Sequence, residues 1–367
     1  MSQREKFIIE AIADDVNMSD LCRAYEISRK TGYKWLNRYR AEGRKGLQDR
    51  SRRPHHSPRK TATAIEQLVV QARAAHPAWG GRKLQAWLQG RGHTRLPAVS
   101  TITAVLRRHN LIDPQESLKH KPYQRFERAA PNELWQMDFK GHFALDNGHR
   151  CHPLTVLDDH SRFLLGLRAC ADEAAHTVQA QLTAIFRQSG LPEQMLMDNG
   201  SPWGDVQSRY TAFELWLLGL GIRVSHGRPY HPQTQGKDER LHRTLKAELL
   251  SRTSFGSISD CQTGFDGWRD VYNLERPHEA LGLRTPVSRY CPSSRTFPET
   301  LPALRFPPGA AIRKVDTKGI ISFQGRRFRV GKAFRRQAVG LLHDPLEDGV
   351  VRVFFNEIPI RSLNLKV

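Results

Sequence analysis

Between Arg228 and Leu250 the chain reads RPYHPQTQGKDERLHRTLKAELL, a loop shaped by Pro229, Pro232 and Gly236 that runs directly into a helix. Leu241, Leu245 and Leu249 recur every fourth residue and form the apolar stripe that packs this helix on a core. At about 100° per residue, Glu239 falls on another face, shared with His242, Arg243 and Lys246. Asp238 lies nearer the leucine stripe, better placed to bond free backbone NH groups. A first-turn carboxylate among cations is either an ordinary solvated face or a presented ligand. The loop before it offers Tyr230, His231, Gln233, Thr234, Gln235 and Lys237, an aromatic surface and hydrogen-bonding groups suited to a nucleic-acid strand.

Charge points to the same partner. The 367 residues carry a net charge of +20 with a sequence pI near 10.2, which argues for a polyanion. No apolar run approaches the roughly 20 residues of a membrane span, and MSQREKFIIEAIADD does not resemble a secretory signal, so a cytoplasmic protein is expected. Cys22, Cys151, Cys170, Cys261 and Cys291 stand singly, giving neither a disulfide scaffold nor a zinc-finger spacing. His55 and His56 sit in a basic linker and read as a solvated or phosphate-facing pair.

The length predicts two to four domains. Residues 1–50 read as three short helices: Phe7, Ile8 and Ile12 begin the first, Ser19 caps a second, and Ser28 caps a third running through Trp35, Leu36 and Tyr39 to Gly43. Short helix, turn and longer cationic helix make a helix-turn-helix pattern, with Arg29, Lys30, Thr31, Lys34 and Arg38 turned to a DNA groove; the alternative is a small bundle with a charged surface. Gly32 costs such a helix about 1 kcal/mol relative to alanine. The basic run from Arg44 to Lys60, RKGLQDRSRRPHHSPRK, leads through a linker over 51–62 that carries Arg52 and Arg53 to phosphates. In a second helical domain over 63–113, Ile65, Leu68, Val69 and Ala72 keep helical spacing. Leu84, Trp87 and Leu88 mark its next helix, and a third, capped by Ser100, holds Ile102, Val105 and Leu106 inside. Thr101, Thr103, Arg107 and Arg108 face out, the two arginines as DNA contacts.

After a linker over 114–128 the pattern changes to mixed α and β. Leu134–Phe143, LWQMDFKGHF, alternates, with Trp135, Met137 and Phe139 on one face and Gln136, Asp138, Lys140 and His142 on the other. Asn147-Gly148 marks a hairpin, strands follow near Leu154–Leu157 and Phe163–Leu167, and Val178, Leu182, Ile185 and Phe186 mark a helix. A short strand, Gln194–Met197, then ends at Asp198. Past Pro298, β-prone pieces at Ile320–Phe323, Arg326–Val330, Ala338–Leu342 and Val350–Phe355 predict a small barrel or sheet over 305–367. Arg326, Arg327, Arg329, Lys332, Arg335 and Arg336 there suggest another DNA or subunit surface.

PYHPQTQGKDER resembles the signature before the final glutamate of DDE-class insertion-sequence transposases with a retroviral-integrase-type core. WQMDF, MLMDNG and YNLERPHEALGLRTPVSRY fit the same family, and the likeness is strongest from Asn132 to Tyr290. The resemblance implies a ribonuclease H-like catalytic core over 129–292, following the two all-α helix-turn-helix domains and preceding a small all-β domain. It places three metal-binding, catalytic carboxylates at Asp138, Asp198 and Glu239. Phosphoryl transfer on DNA needs divalent metal to activate the attacking oxygen and stabilise the leaving one; hard oxygen ligands suit Mg2+, with Mn2+ as an alternative. Without a cation the three acids would repel one another. Each acid also has a plain structural reading: a polar-face strand residue, a turn residue and a helix-start residue. Asp158 and Asp159 in LDDHSR are expected to support the site, and Asn273, Arg276, Pro277 and His278 to anchor the active-site helix. Glu248 lies too far along that helix to share a metal. The Asp198–Glu239 spacing exceeds the family's usual one, the surplus falling in SPWGDVQSRYTAFELW.

A bacterial, nucleoid-associated transposase is therefore expected. It would bind the ends of its own element, cleave them to free 3′ hydroxyls and join these to target DNA, as a dimer or tetramer on paired ends. DNA contacts around the site would come from Tyr230, Gln233, Gln235, Lys237, Arg243 and Lys246. The rival readings are a non-enzymatic DNA-binding regulator derived from a transposase and a structure-selective nuclease on the same fold. A tyrosine recombinase is disfavoured, since no recombinase signature surrounds Tyr230.

Overall fold

Capping side chains set the starts of the N-terminal helices in the computed structural model, which describes residues 2–50, 60–112, 127–198, 200, 210–227 and 236–366. Helix α1 (Gln3–Ala11) opens on a reciprocal Ser2–Glu5 capping box, and α3 (Arg29–Glu42) on Ser28, whose hydroxyl accepts from the Thr31 amide at 3.2 Å. For α2 (Met18–Ala24) the cap is Asn17 and not Ser19, whose own amide donates to the Asn17 side chain. Phe7, Ile8, Cys22, Leu36 and Leu47 form the core of these helices. Gly32 belongs to that packing: a Cβ there would meet Cys22 Sγ at 2.5 Å and Phe7 Cζ at 2.9 Å. The expected helix defect is thus the point where α3 closes on its neighbours.

The chain separates into two units, residues 1–60 and 61–367. The second begins with α4 (Thr63–Ala75), α5 (Gly81–Gly90) and α6 (Val99–Arg108) around Val69, Ala72, Trp79, Leu84, Leu88, Ile102, Val105 and Leu106. Ser100 does not cap α6, which starts one residue earlier after Ala98 without a side-chain cap. Thr103 does not face out: its hydroxyl donates to the Val99 carbonyl and lies where a Cβ on Gly81 would sit. Helix α5 meets the following core through Glu275, which accepts from Arg91 at 2.8 Å and from the Trp87 indole at 3.4 Å.

The core is built on a mixed sheet. Strands β1 (Trp135–Phe139), β2 (Phe143–Ala144), β3 (Arg150–Asp158) and β4 (Leu164–Cys170) pair antiparallel about β3. After α7 (Ala175–Ser189), β5 (Gln194–Met197) joins β1 in parallel, and after α8 (Ala212–Gly219), β6 (Arg223–His226) joins β5 in parallel. The expected single strand over Leu134–Phe143 is broken at Lys140–His142 into β1 and β2. Helices α7 and α8 cover one face through Val178, Leu182, Ile185, Phe186, Phe213 and Leu217. On the other lie α9 (Gly236–Leu245), continued by a π-helical turn to Leu250, and α10 (Ile258–Asp270), packed through Leu241, Leu245, Phe265 and Trp268. The leucine stripe is therefore the buried edge of α9.

The C-terminal part holds β7 (Ala311–Lys314), the hairpin β8 (Ile320–Phe323) and β9 (Arg326–Arg329), then β10 (Ala338–His343), β11 (Val350–Phe355) and β12 (Ile358–Asn364). Strands β12, β11, β10 and β7 form one antiparallel sheet in that order. Strands β7 and β12 were not foreseen; both are short of continuous apolar residues. The apolar centre of this part takes in Leu218 of α8, so it is packed onto the core.

Candidate active site

Two strand ends bring the first two acids together. Trp135 pairs with Met195 and Gln136 with Leu196, so the register carried two residues further sets Asp138 beside Asp198. Burial, and then the Asp198 charge, push the Asp138 carboxyl up to about 7. Asp198 Oδ1 accepts from the Gly200 amide at 3.0 Å, and its carbonyl accepts from His226 Nδ1 at 2.7 Å. The other nitrogen of His226 lies 2.7 Å from the buried Glu214 carboxylate, which holds the imidazole above its usual range. Glu214 is itself fixed by the capping box with Thr211 that starts α8.

Helix α9 presents a different set of side chains from the one expected. Asp238 is buried, at 1% exposure, with no hydrogen-bond partner for Oδ1 among the described residues; burial and then the Asp138 charge hold its carboxyl well above the usual range. His242, expected beside Glu239, is instead turned inward one turn after Asp238, its Nδ1 3.8 Å from Asp138 Oδ2. The Thr155 hydroxyl donates to the Asp138 carbonyl at 2.9 Å, so His242 Nε2, at 2.9 Å, donates to Thr155 Oγ1. Burial lowers the imidazole to about 4, keeping it neutral. Glu239 itself is exposed, with Arg243 and Lys246 on the same outward side. Among the described residues no three acids, histidines or cysteines are gathered as a metal-binding group. Asp138 and Asp198 are thus brought together, and Glu239 is not gathered with them.

The supporting acids are buried and saturated. Asp158 accepts from the amides of Asn132 and Ser161 and from the Ser161 hydroxyl. Asp159 accepts from the Arg128 amide and from Gln136 Nε2, and is ion-paired with Lys237. Lys237, expected on DNA, therefore points into the protein at the start of α9, and burial lowers its ammonium to about 8. Arg276 binds Glu248 at 2.9 Å, and Asn273 exchanges two bonds with the Leu164 backbone, tying the end of the α9 segment and the turn after α10 to β4. His278 is buried against the edge of Tyr272.

The expected DNA contacts divide. Arg29, Lys30 and Lys34 are exposed on α3 and Arg38 is half-buried, while the Thr31 hydroxyl is engaged with Ser28. Arg107 is exposed; Arg108 is paired with Glu66 at 2.7 Å and is not a free cation. Arg52, Arg53, Tyr230, Gln233 and Gln235 lie outside the described residues. The Thr155–His242 link and the His226–Glu214 pair were missed, and only the four-residue step from Asp238 to His242 hinted at a polar inner stripe.

Models described as integrase core domain match residues 128–232 and 220–286, and one for the C-terminal domain of IS481 family transposases matches 310–367. The chain thus carries an integrase core and a C-terminal domain similar to that of IS481 family transposases. A helix-turn-helix model matches residues 3–55 of this chain and a homeodomain-like one 31–106. Helical helix-turn-helix domains, a ribonuclease H-like core and an all-β C-terminal domain thus follow one another. An insertion element IS407 protein of Burkholderia multivorans is 28% identical over 158 residues, 43% of this chain and 55% of that protein. An insertion element IS476 protein of Xanthomonas euvesicatoria is 31% identical over 170 residues, 46% of each. The chain spans about half the length of these curated relatives. Among solved structures, the catalytic core of BIV integrase is matched with a TM-score of 0.33 and 22% identity over 43% of this chain and 93% of that one. The HTLV-2 integrase core in complex with magnesium is matched with a TM-score of 0.34 and 17% identity over 44% and 99%.

Proposed function

We propose that this protein binds the ends of its own mobile element, cleaves them to free 3′ hydroxyls and joins those hydroxyls to target DNA by successive in-line attacks at phosphorus. The observation that carries the reading is the Asp138–Asp198 pair at adjacent strand ends of an integrase core, with the Asp138 carboxyl held near 7 by burial and by its neighbour. Two close, partly buried carboxylates, the charge of Asp198 helping to raise Asp138, fit a hard divalent cation, which supplies the missing charge. Asp138, Asp198 and Glu239 would hold Mg2+ or Mn2+, with Glu239 brought in from the exposed first turn of α9. When bound, the metal stabilises the charge that develops on the attacking and leaving oxygens. The rest falls to the chain: the Lys237–Asp159 pair fixes the start of α9, neutral His242 fills the space behind Asp138, and Arg243 and Lys246 meet backbone phosphates. Loop residues Tyr230, Gln233 and Gln235 are assigned to the DNA strand. We further assign Arg29, Lys30, Lys34 and Arg38 to groove contacts, Arg52, Arg53 and Arg107 to phosphates, and the domains to residues 1–50, 63–113, 129–292 and 305–367.

Asp198→Asn is expected to abolish end cleavage and joining while leaving end binding nearly intact, since it removes a ligand and not a groove contact. Mobility shift and a joining assay on one preparation test this, with Glu239→Gln and Asp238→Asn in parallel. Joining by Asp198→Asn on a pre-cleaved end in Mg2+ overturns the site. Exposed Glu239 favours one rival, a DNA-binding regulator without chemistry; wild-type protein that binds ends but never cleaves them would establish it.

A further inference from the structure

The β5–β6 ladder ends at Met197 opposite His226, with the Gly227 amide donating to the Met197 carbonyl at 3.1 Å, and Asp198 stands one residue beyond. A side chain at a strand end shares the fraying of that end unless other groups hold it. Asp198 is held twice: Oδ1 accepts from the Gly200 amide at 3.0 Å, and the carbonyl accepts from His226 Nδ1 at 2.7 Å. The imidazole thus prolongs the ladder with a side chain. Behind it lies an acid that helix capping does not explain. Glu214 Oε2 accepts from the Thr211 amide at 2.6 Å and its hydroxyl at 3.0 Å, closing the capping box of α8. A glutamate can do this in contact with solvent, as Glu5 does at the start of α1 with its side chain 25% exposed, whereas that of Glu214 is 1% exposed.

A buried carboxylate is costly unless its partners replace the lost hydration, and Oε1 has such a partner in His226 Nε2 at 2.7 Å. With an oxygen acceptor on either side, the ring donates from both nitrogens, to Glu214 and to Asp198. Helix α8 is itself fixed in the core by Phe213 and Leu217, so a line of contacts runs from a packed helix to the strand end. Resting on the metal-binding reading above, we propose that His226, oriented by Glu214, is a positioning residue that sets the Asp198 carboxylate for a divalent cation. It acts through the Asp198 main chain and needs no contact with the cation or with DNA. Removing a group that orients a metal ligand from behind weakens metal binding roughly 10–100-fold.

The test uses the full-length protein and Mn2+ alone, with binding read from loss of the free-ion EPR signal and thermal melts of the metal-free proteins in parallel. Asp198→Asn is the reference for loss of the site. His226→Ala alone would leave Glu214 buried and unpaired, so it is combined with Glu214→Gln. This double variant should bind Mn2+ about tenfold more weakly than wild type. His226→Asn with Glu214→Gln, whose amide again donates to the Asp198 carbonyl, should recover to within about threefold of wild type. A purely structural role would lower the melting temperature of both variants alike and leave the Mn2+ affinity of the folded protein unchanged. Glu214→Gln alone should fall between, and it decides the matter if the alanine variant does not fold, unchanged affinity then overturning the role. Affinity in the alanine variant within about twofold of wild type, or no recovery with asparagine, also overturns it. The carboxylate site survives such a result if Asp198→Asn has lost the ion. Asp198→Asn binding Mn2+ like wild type removes the metal reading itself, and the role of His226 with it.

Discussion

Asp238 and Glu239 are neighbours with opposite surroundings: one buried and held well above its usual range, the other in solvent. The helical wheel separated them correctly, because Asp238 stands near the leucines. It erred on His242, which scans as polar yet shares the inward stripe with Asp238 four residues earlier. A polar inner stripe has no apolar signature, so it becomes legible only when strand β3 supplies Thr155 as its partner. The electrostatics give a sign. Asp138 is raised from 3.8 to about 7 in the folded chain, so its contribution to stability is fully present below about pH 4 and is lost as pH rises through 7. That displacement amounts to stability on the order of 4 kcal/mol. Metal-free protein should therefore melt at lower temperature at pH 8 than at pH 5, and Asp138→Asn should flatten the profile. Thermal melts of both proteins check this, and equal slopes would show that Asp138 is not the group responsible.

Among elements, helix α3 shows what the sequence could and could not tell. Its cap, its length and its outward cations were legible from Ser28, Gly43 and the spacing of Trp35, Leu36 and Tyr39. The reason for Gly32 was not, because it lies in the side chains of two other helices. Gly→Ala inside a helix ordinarily gains about 1 kcal/mol. Here a methyl would stand 2.5 Å from Cys22 Sγ, and overpacking of that kind costs about 1–3 kcal/mol. Gly32→Ala is expected to destabilise the N-terminal unit by about that amount, read by urea unfolding; a stabilised variant would refute the close packing of α1, α2 and α3. The same helix carries a recognition prediction. Exposed Lys34 is assigned to the groove, whereas Arg52 and Arg53 belong to a linker suited to phosphates. Lys34→Ala should change the preference among end sequences. Arg52→Ala with Arg53→Ala should weaken binding to all of them and flatten the salt slope. Mobility shifts against matched and scrambled ends decide, and equal loss of discrimination from both changes contradicts the division.

At the scale of the whole molecule, the order of helical, mixed and β-rich stretches was readable because hydrophobic periodicity changes from one to the next. The attachment of the C-terminal sheet to the core was not, because it depends on Leu218 of α8 and on Asn356, which bonds the carbonyls of Leu218 and Gly219 at 3.3 and 3.4 Å. That attachment bears on assembly. Under the proposed transposition an element has two ends to be joined, and this chain carries one pair of facing acids with one Glu239, so two or more chains are expected to meet on paired ends. A chain of net charge +20 repels its copies until phosphates neutralise it, so light scattering should show growth to a dimer or tetramer when end DNA is added. Arg335 and Arg336 are exposed on the C-terminal part and are candidates for the bridge. Deleting this part would uncover Leu218 and confuse loss of assembly with loss of stability. Charge removal avoids that: Arg335→Ala with Arg336→Ala should leave the melting temperature and single-end binding near wild type while reducing paired-end joining severalfold. Paired-end joining at the wild-type rate would take the C-terminal arginines out of the bridge, and one chain joining both ends in succession would remove the need for a bridge at all.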